Sequence, residues 1–174
     1  MTDSLGAAEF VAGLVDASRD SFMYFLPAVV FLIACGLSFA TGTSWGTFGI
    51  LIPITLKVFP LDGSNPLAVI CVSACMAGAV CGDHCSPISD TTIMSSAGAQ
   101  CNHIAHVSTQ LPYALTAAAV SLVTFLFAGF VQNAVVCLLI GMGLMVGTVF
   151  LLRKLIPTPD SASLRKESQE AGKG

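Results

Sequence analysis

The sequence predicts an all-α membrane protein in which transmembrane helices accompany one re-entrant hairpin and one discontinuous helix. The chain is 55% hydrophobic and only 10% charged, whereas soluble domains carry roughly 25% charged residues. Only four Asp, Glu, Lys or Arg residues lie within 22–152, namely Lys57, Asp62, Asp83 and Asp90. Two of the four long apolar stretches are interrupted by polar blocks. With a net charge of −3 and no basic patch, the chain has no sequence signature of nucleic-acid binding.

The two ends of the chain are predicted to lie outside the membrane core. Residues 1–21 are expected to form an amphipathic segment at the interface, because apolar side chains recur there at helical spacing among acidic ones. These apolar residues are Phe10, Val11, Leu14 and Val15. Residues 153–174 are polar and lack periodicity, which predicts a disordered tail. The tail's basic residues favour the cytoplasmic side, by the positive-inside rule.

Residues 22–58 contain an apolar run, a polar block at 41–47 and a second apolar run. The second run, 48–58, is too short to cross a bilayer alone, because crossing needs about 20 helical residues. Irregular backbone at membrane depth is tolerated only where it is buried in protein or lines a cavity. Two interpretations fit this pattern, a re-entrant hairpin and a spanning broken helix, and the distribution of basic residues mildly favours the second.

Three further segments are predicted to lie in the membrane. Residues 66–99 form a discontinuous helix, because the polar block DHCSPISDTT interrupts an apolar run at 83–92. Residues 112–131 and 134–152 are long enough to cross the bilayer and carry no charge, which predicts two transmembrane helices. The first of them is expected to begin at Pro112, since proline is well tolerated in a first helical turn.

The first polar block, TGTSWGT, offers uncharged oxygen ligands for an ion. Its hydroxyls belong to Thr41, Thr43, Ser44 and Thr47. Gly42 and Gly46 free the backbone to turn and to expose carbonyl groups. The alternative interpretation is an ordinary extramembrane loop, because Ser, Thr and Gly also favour turns.

The second polar block supplies the only two carboxylates inside a hydrophobic segment, Asp83 and Asp90. A charge at the bilayer centre costs at least about 2.5–3.5 kcal/mol, so such residues usually mark ion or proton pathways. Pro87 lies between them and should break the helix, which frees carbonyl groups. Additional hydroxyls come from Ser86, Ser89, Thr91 and Thr92. Carboxylate, carbonyl and hydroxyl oxygens suit a hard cation such as Na⁺, bound transiently at the two aspartates. The alternative is an aqueous loop in which Asp90 caps the following helix.

Other polar residues have less specific interpretations. Lys57 is expected to extend to the interface, with a role as counter-ion to Asp83 or Asp90 as the alternative. His103 and His106 are expected in an exposed polar link before Pro112, where pH sensing is the alternative. The cysteines at four-residue offsets favour packing of a helix face over a soft-metal site that would include His84. These cysteines are Cys71, Cys75, Cys81 and Cys85.

Three long motifs also carry a resemblance to a known family. They are FATGTSWGTFGILIPI at 39–54, AGAVCGDHCSPISDTTIMSSAGA at 77–99 and CNHIAHVSTQLPYAL at 101–115. They resemble the C-terminal part of NhaC-type Na⁺/H⁺ antiporters. The resemblance implies two inverted repeats, each with a re-entrant hairpin and a discontinuous helix, of which this chain holds one. By the resemblance, 22–58 is the hairpin, and we adopt that interpretation.

These observations predict a non-enzymatic secondary transporter of the plasma membrane. Na⁺/H⁺ antiport is the leading hypothesis, with the buried aspartates exchanging a proton for sodium and no cofactor beyond the transported ions. Organic-anion exchange of the malate and lactate type, and a membrane fragment that transports nothing, are the alternatives. Because transport sites of this class form between repeats, the expected partners are the bilayer, small cations and a second repeat, on another chain or in a missing N-terminal part.

Overall fold

The computed structural model describes residues 23–59 and 66–155, and all regular structure in these ranges is helical. A short 3₁₀ turn at Met23–Phe25 leads into the first of six α-helices. The helices are α1 (Leu26–Thr41), α2 (Ser44–Val58), α3 (Pro66–Cys85), α4 (Asp90–Gly98), α5 (His103–Val131) and α6 (Ala134–Leu155). The all-α prediction is therefore confirmed. The predicted interfacial segment 1–21 and nearly all of the predicted tail lie outside the described residues.

Four helical segments in the described ranges are long and apolar enough to cross a membrane. They are Met23–Thr41, Pro66–Cys85, His103–Val131 and Ala134–Lys154. The chain divides into two compact units, one ending at Gly141 and the other beginning at Met142. The first unit contains both polar blocks. The described part of the second is the remainder of α6, which stays apolar until Arg153 and Lys154 in its last turn.

Helices α1 and α3 run parallel in close contact. The backbone of Gly78 lies against the Phe31 carbonyl, and that of Gly82 lies against the Cys35 carbonyl. The two contacts are four residues apart in both helices and in the same direction, which shows the parallel arrangement. A methyl group on either glycine would overlap the facing carbonyl oxygen. Glycine at these positions therefore sets the small separation of the two helices.

Helix α2 folds back along α1 and α3. Gly42 follows α1 with a φ of 68° and ends the helix in the left-handed conformation, which glycine adopts without steric cost. At the other end of α2, Phe59 is buried in an apolar cluster with Leu26 and Leu67, which lie near the starts of α1 and α3. Residues 26–59 therefore form a helical hairpin. Its re-entrant placement in a membrane remains a prediction.

Helix α3 ends at Cys85 and the chain becomes helical again at Asp90, so the interruption lies between the two aspartates. Pro87 is inside this interruption. The Ser89 side chain caps α4 by accepting from the backbone N–H of Thr91 at 3.1 Å. The non-helical segment 86–89 thus leaves one end of α3 facing the turn between α1 and α2.

Helix α5 begins at His103, so the predicted start at Pro112 was wrong. The Asn102 side chain caps the helix by accepting from the backbone N–H of Ala105 at 3.1 Å, and Pro112 is accommodated inside the helix. His106 is therefore helical and does not lie in a loop. Helix α5 runs antiparallel to α1. Its late residues Phe125 and Phe130 have ring contacts with Phe31 and Tyr24, respectively.

Candidate ion-binding site

The two polar blocks meet in the fold, although about forty residues separate them in sequence. The Ser86 hydroxyl donates to the Phe39 carbonyl at the end of α1, over 2.8 Å. The backbone of Gly42 lies so close to Ile88 that a Cβ on Gly42 would be 2.9 Å from the Ile88 carbonyl oxygen. The turn of the hairpin is therefore packed directly against the interruption after α3.

Asp83 is the buried acid at this junction, with 4% of its surface exposed. Its Oδ1 accepts from the Ser89 hydroxyl at 2.7 Å. Its Oδ2 accepts from the Thr91 hydroxyl at 3.0 Å and, more weakly, from the Ser44 hydroxyl at 3.5 Å. Ser44 begins α2, whereas Ser89 and Thr91 belong to the interruption and the start of α4. One carboxylate thus gathers hydroxyls from both polar blocks.

The interruption is held in place by its own hydroxyl groups. Ser86 and Ser89 are fully buried, and Thr92 is 3% exposed. The Thr92 hydroxyl donates to the Ser86 carbonyl at 2.9 Å, and the backbone N–H of Ser86 donates to the Asp83 carbonyl at 3.1 Å. These bonds satisfy backbone groups that the broken helix would otherwise leave unpaired. Ser86 and Thr92 therefore position the site, while Ser89 contacts the carboxylate itself.

The hydroxyls of the first block have different roles. Thr47 is fully buried and donates to the Thr43 carbonyl at 2.9 Å. The Thr43 side chain caps α2 by accepting from the backbone N–H of Gly46 at 3.4 Å. Thr41 is exposed and donates to the Leu37 carbonyl of its own helix at 2.9 Å. Of the four predicted hydroxyls in this block, Ser44 is the one with a hydrogen bond to Asp83.

Asp90 is separated from this buried cluster. It is exposed at the first position of α4, where its Oδ1 accepts from the backbone N–H of Thr91 at 2.8 Å. This contact stabilises the start of a helix, where negative charge is favourable. The two predicted acids thus occupy different environments, and Asp83 alone is buried.

Lys57 lies far from both acids along the hairpin. It is in the last turn of α2, about 20 Å along the helix axis from Ser44 at the Asp83 end. A lysine side chain is much shorter than this distance. The structure therefore does not support the counter-ion role for Lys57.

The cysteines lie mainly among apolar side chains. Cys71 belongs to the cluster around Leu26, and Cys75 packs with Ala34 and Ala79. Within residues 23–59 and 66–155, no three His, Cys, Asp or Glu side chains come together as a group that could hold a metal ion. His84 is exposed, and its Nδ1 lies 2.9 Å from the Val80 carbonyl of its own helix. These surroundings favour the packing interpretation of the cysteines.

The sequence did not predict the surroundings of two residues, His103 and Ser38. His103 was expected in an exposed link, but its Nε2 lies 2.7 Å from the Pro87 carbonyl and its Nδ1 lies 3.1 Å from the Ser96 hydroxyl. The histidine thus connects α5 to the interruption and to α4. Ser38 lies inside an apolar run and is fully buried in α1. Because its neighbours in sequence are hydrophobic, the sequence pattern does not single it out. The packing of the helices shows that it is buried.

The arrangement has the chemistry of a site for a small hard cation. A carboxylate supplies charge, and the hydroxyls that donate to it keep lone pairs that can face a cation. Oxygen ligands without thiolate or imidazole suit Na⁺ better than a transition metal. The fold has brought these groups together at the meeting point of two helix interruptions.

Comparisons with known proteins found a family match and similar proteins. The family model of the Na⁺/H⁺ antiporter family matches residues 1–130. An uncharacterised protein of Haemophilus influenzae is 53% identical over 111 residues, which are 64% of this chain and 21% of that protein. The malate-2H⁺/Na⁺-lactate antiporter of Bacillus subtilis is 34% identical over 103 residues, which are 59% of this chain and 22% of that protein. No solved structure matches the chain.

The matched region spans about a fifth of the length of these relatives. The family match covers both polar blocks and the hairpin, and the apolar helices agree with a multi-pass protein of the plasma membrane. The family is one of transporters and not of enzymes. By its motifs, its helices and the extent of the match, the chain belongs to the Na⁺/H⁺ antiporter family.

Proposed function

We propose that this chain carries the cation-binding part of a secondary transporter that exchanges Na⁺ for H⁺. The observation that supports this most directly is the buried Asp83 carboxylate, which accepts hydrogen bonds from Ser44, Ser89 and Thr91. A buried carboxylate surrounded by oxygen ligands can hold either a proton or a sodium ion. Competition between the two for one group is sufficient to couple their movements.

In the proposed exchange, protonated Asp83 releases its proton to water as sodium arrives from the same side. Sodium is then bound by the carboxylate and by hydroxyl lone pairs. After the site opens to the other side, sodium leaves and a proton from that side returns to the carboxylate. Asp90 lies exposed near the same interruption, and we assign to it an accessory role, in which its charge attracts cations and stabilises the start of α4.

The complete transport site is proposed to include protein beyond this chain. Transport sites of this kind form at the interface between two structural repeats. The region of the chain that matches its relatives spans about a fifth of their length. The second repeat would cover the exposed side of the interruption and would provide alternating access.

A second candidate function is exchange of organic anions, supported by the similarity to the malate-2H⁺/Na⁺-lactate antiporter. In that case, sodium at Asp83 would accompany a carboxylate substrate, and backbone N–H groups at helix starts would bind the anion. The buried negative charge of Asp83 makes an anion alone a poor ligand at this position. Na⁺/H⁺ exchange therefore ranks first.

The test is sodium-driven dissipation of a pH gradient in lipid vesicles that contain the chain in its complete transporter assembly. Asp83→Asn keeps the shape but removes the exchangeable proton, so exchange should fall to background. Ser44→Ala removes one neutral ligand with a contact worth about 1–1.5 kcal/mol, so the sodium affinity should weaken up to roughly tenfold while coupling persists. Asp90→Asn should retain most of the exchange rate.

The same vesicles distinguish the two candidate functions. Malate and lactate are added to opposite sides, first with sodium and then with choline in its place. Exchange that requires sodium alone supports antiport of Na⁺ and H⁺, whereas exchange that requires an organic anion supports the second candidate. Wild-type exchange by Asp83→Asn would show that this carboxylate does not carry the cation.

A further inference from the structure

Ser38 carries a buried hydroxyl group that has no hydrogen-bond partner among the described residues. The residue is fully buried, with 0% of its surface exposed. A buried hydroxyl without a partner is unfavourable by about 1–3 kcal/mol, and the native exceptions call for an explanation such as a bound ion or water. The position of Ser38 therefore points to a ligand.

Other hydroxyl groups in this hairpin are satisfied by their own helix. Thr41, Thr47 and Thr55 each donate to the carbonyl four residues earlier, over 2.9, 2.9 and 2.8 Å. Ser38 has the same local option, since it is also helical, yet its hydroxyl does not bond to the helix. The Ser38 hydroxyl therefore lacks the bond to its own helix that the other three hydroxyls have.

The contacts between α1 and α3 place Ser38 at the same height along the helix axes as Asp83. One turn before Ser38, Ala34 packs with Cys75 and Ala79 of the parallel helix α3. Advancing both helices by one turn sets Ser38 beside Ala79 and Asp83, because residues four apart share a helix face. The neighbouring contact is consistent, since the backbone of Gly82 lies against the backbone of Phe39.

The contacts of α2 also place Ser38 at the height of Asp83. Phe48 and Leu51 pack against the cluster that contains Ala34. Because α2 is antiparallel to α1, one turn further along α1 corresponds to one turn back along α2. That step leads from Phe48 to Ser44, whose hydroxyl bonds to Asp83. Ser38 thus occupies one layer with Asp83 and Ser44.

We propose that Ser38 is a further ligand of the transported cation, supplied by α1. The proposal rests on the proposed function, because it assigns Ser38 to the Asp83 site. The lone pairs of the Ser38 hydroxyl would complete an oxygen shell to which α1, α2 and α3 each contribute. Binding of the cation would then satisfy the hydroxyl that the protein itself leaves without a partner.

The test measures ²²Na⁺ binding to the chain in its complete transporter assembly in lipid nanodiscs, with choline replacing sodium as background. Ser38→Ala should weaken sodium binding about tenfold, equivalent to about 1.4 kcal/mol. Its unfolding temperature without sodium should stay equal or rise, because the variant loses only an unpaired hydroxyl. The matched control is Ser73→Ala, which removes an exposed hydroxyl that donates to the Val69 carbonyl at 2.8 Å. This control should bind sodium as wild type does.

The outcomes separate this inference from the function on which it rests. If wild type binds sodium, Asp83→Asn loses binding and Ser38→Ala binds as wild type does, the role of Ser38 is refuted while the Asp83 site stands. If wild type does not bind sodium, or Asp83→Asn binds it normally, both proposals are refuted. Should Ser38→Ala fail to fold, Ser38→Cys keeps a similar volume with a soft sulfur atom that is a poor sodium ligand. Sodium affinity equal to wild type in that variant would also overturn the proposal.

Discussion

Gly82→Ala should separate α1 from α3 and destabilise the protein. The added Cβ would overlap the Cys35 carbonyl oxygen and lie 2.9 Å from both the Cys35 carbonyl carbon and the Phe39 nitrogen. Ordinary contact begins near 3.4 Å, so α1 has to move by at least 0.5 Å. Because the obstacle is backbone and not a flexible side chain, we expect a cost of about 1–3 kcal/mol, typical of overpacking.

Thermal unfolding of the complete transporter assembly in lipid nanodiscs checks this prediction, together with sodium binding in the same samples. Movement of α1 displaces the Phe39 carbonyl that accepts from Ser86, so sodium affinity should fall as well. Gly36→Ala is the matched control in α1, where a Cβ would meet nothing within 4 Å. It should leave stability unchanged or raise it by up to about 1 kcal/mol, since alanine favours helix. Equal stability of Gly82→Ala and Gly36→Ala would refute the close packing of α1 and α3.

The remaining predictions concern α5. His103→Ala should lower the free energy of unfolding by about 1–2 kcal/mol, because it removes contacts to the Pro87 carbonyl and the Ser96 hydroxyl. Chemical unfolding measures this free energy, and a change below about 0.5 kcal/mol would show that His103 does not stabilise the contact of α5 with the interruption. A cysteine placed at Ala105, with the native cysteines replaced, should react with an impermeant reagent only from the cytoplasmic side. The positive-inside rule places the start of α5 on that side of the membrane. Labelling from outside would show that the predicted topology is wrong.

The polar blocks were predictable because burial of polar groups in an apolar chain is costly. Asp83, Ser89, Thr91 and Ser44 all belong to the predicted set, and the structure brings them into contact. The sequence could not separate Asp83 from Asp90, since both are single acids in one short block. The turn that ends α3 buries the first, and the start of α4 exposes the second.

Helix boundaries were less predictable than helix existence. Pro112 is a common helix-start signal, but Asn102 supplies a better cap and the helix begins at His103. A membrane helix tolerates the internal proline because neighbouring groups satisfy the freed backbone. Because the helix begins at His103, this residue contacts the interruption, whereas the sequence predicted it in a loop.

The sequence by itself determined the membrane class, the helical composition and the two polar interruptions, because these follow from local hydrophobicity and backbone chemistry. It also carried the motifs of the family. The tertiary structure alone decided that α1 and α3 run parallel with glycines between them, that α2 returns along them, and that Ser38 is buried without a hydrogen-bond partner among the described residues. These features depend on contacts between residues distant in sequence, and a pattern of neighbouring residues contains no information on which helix faces will meet.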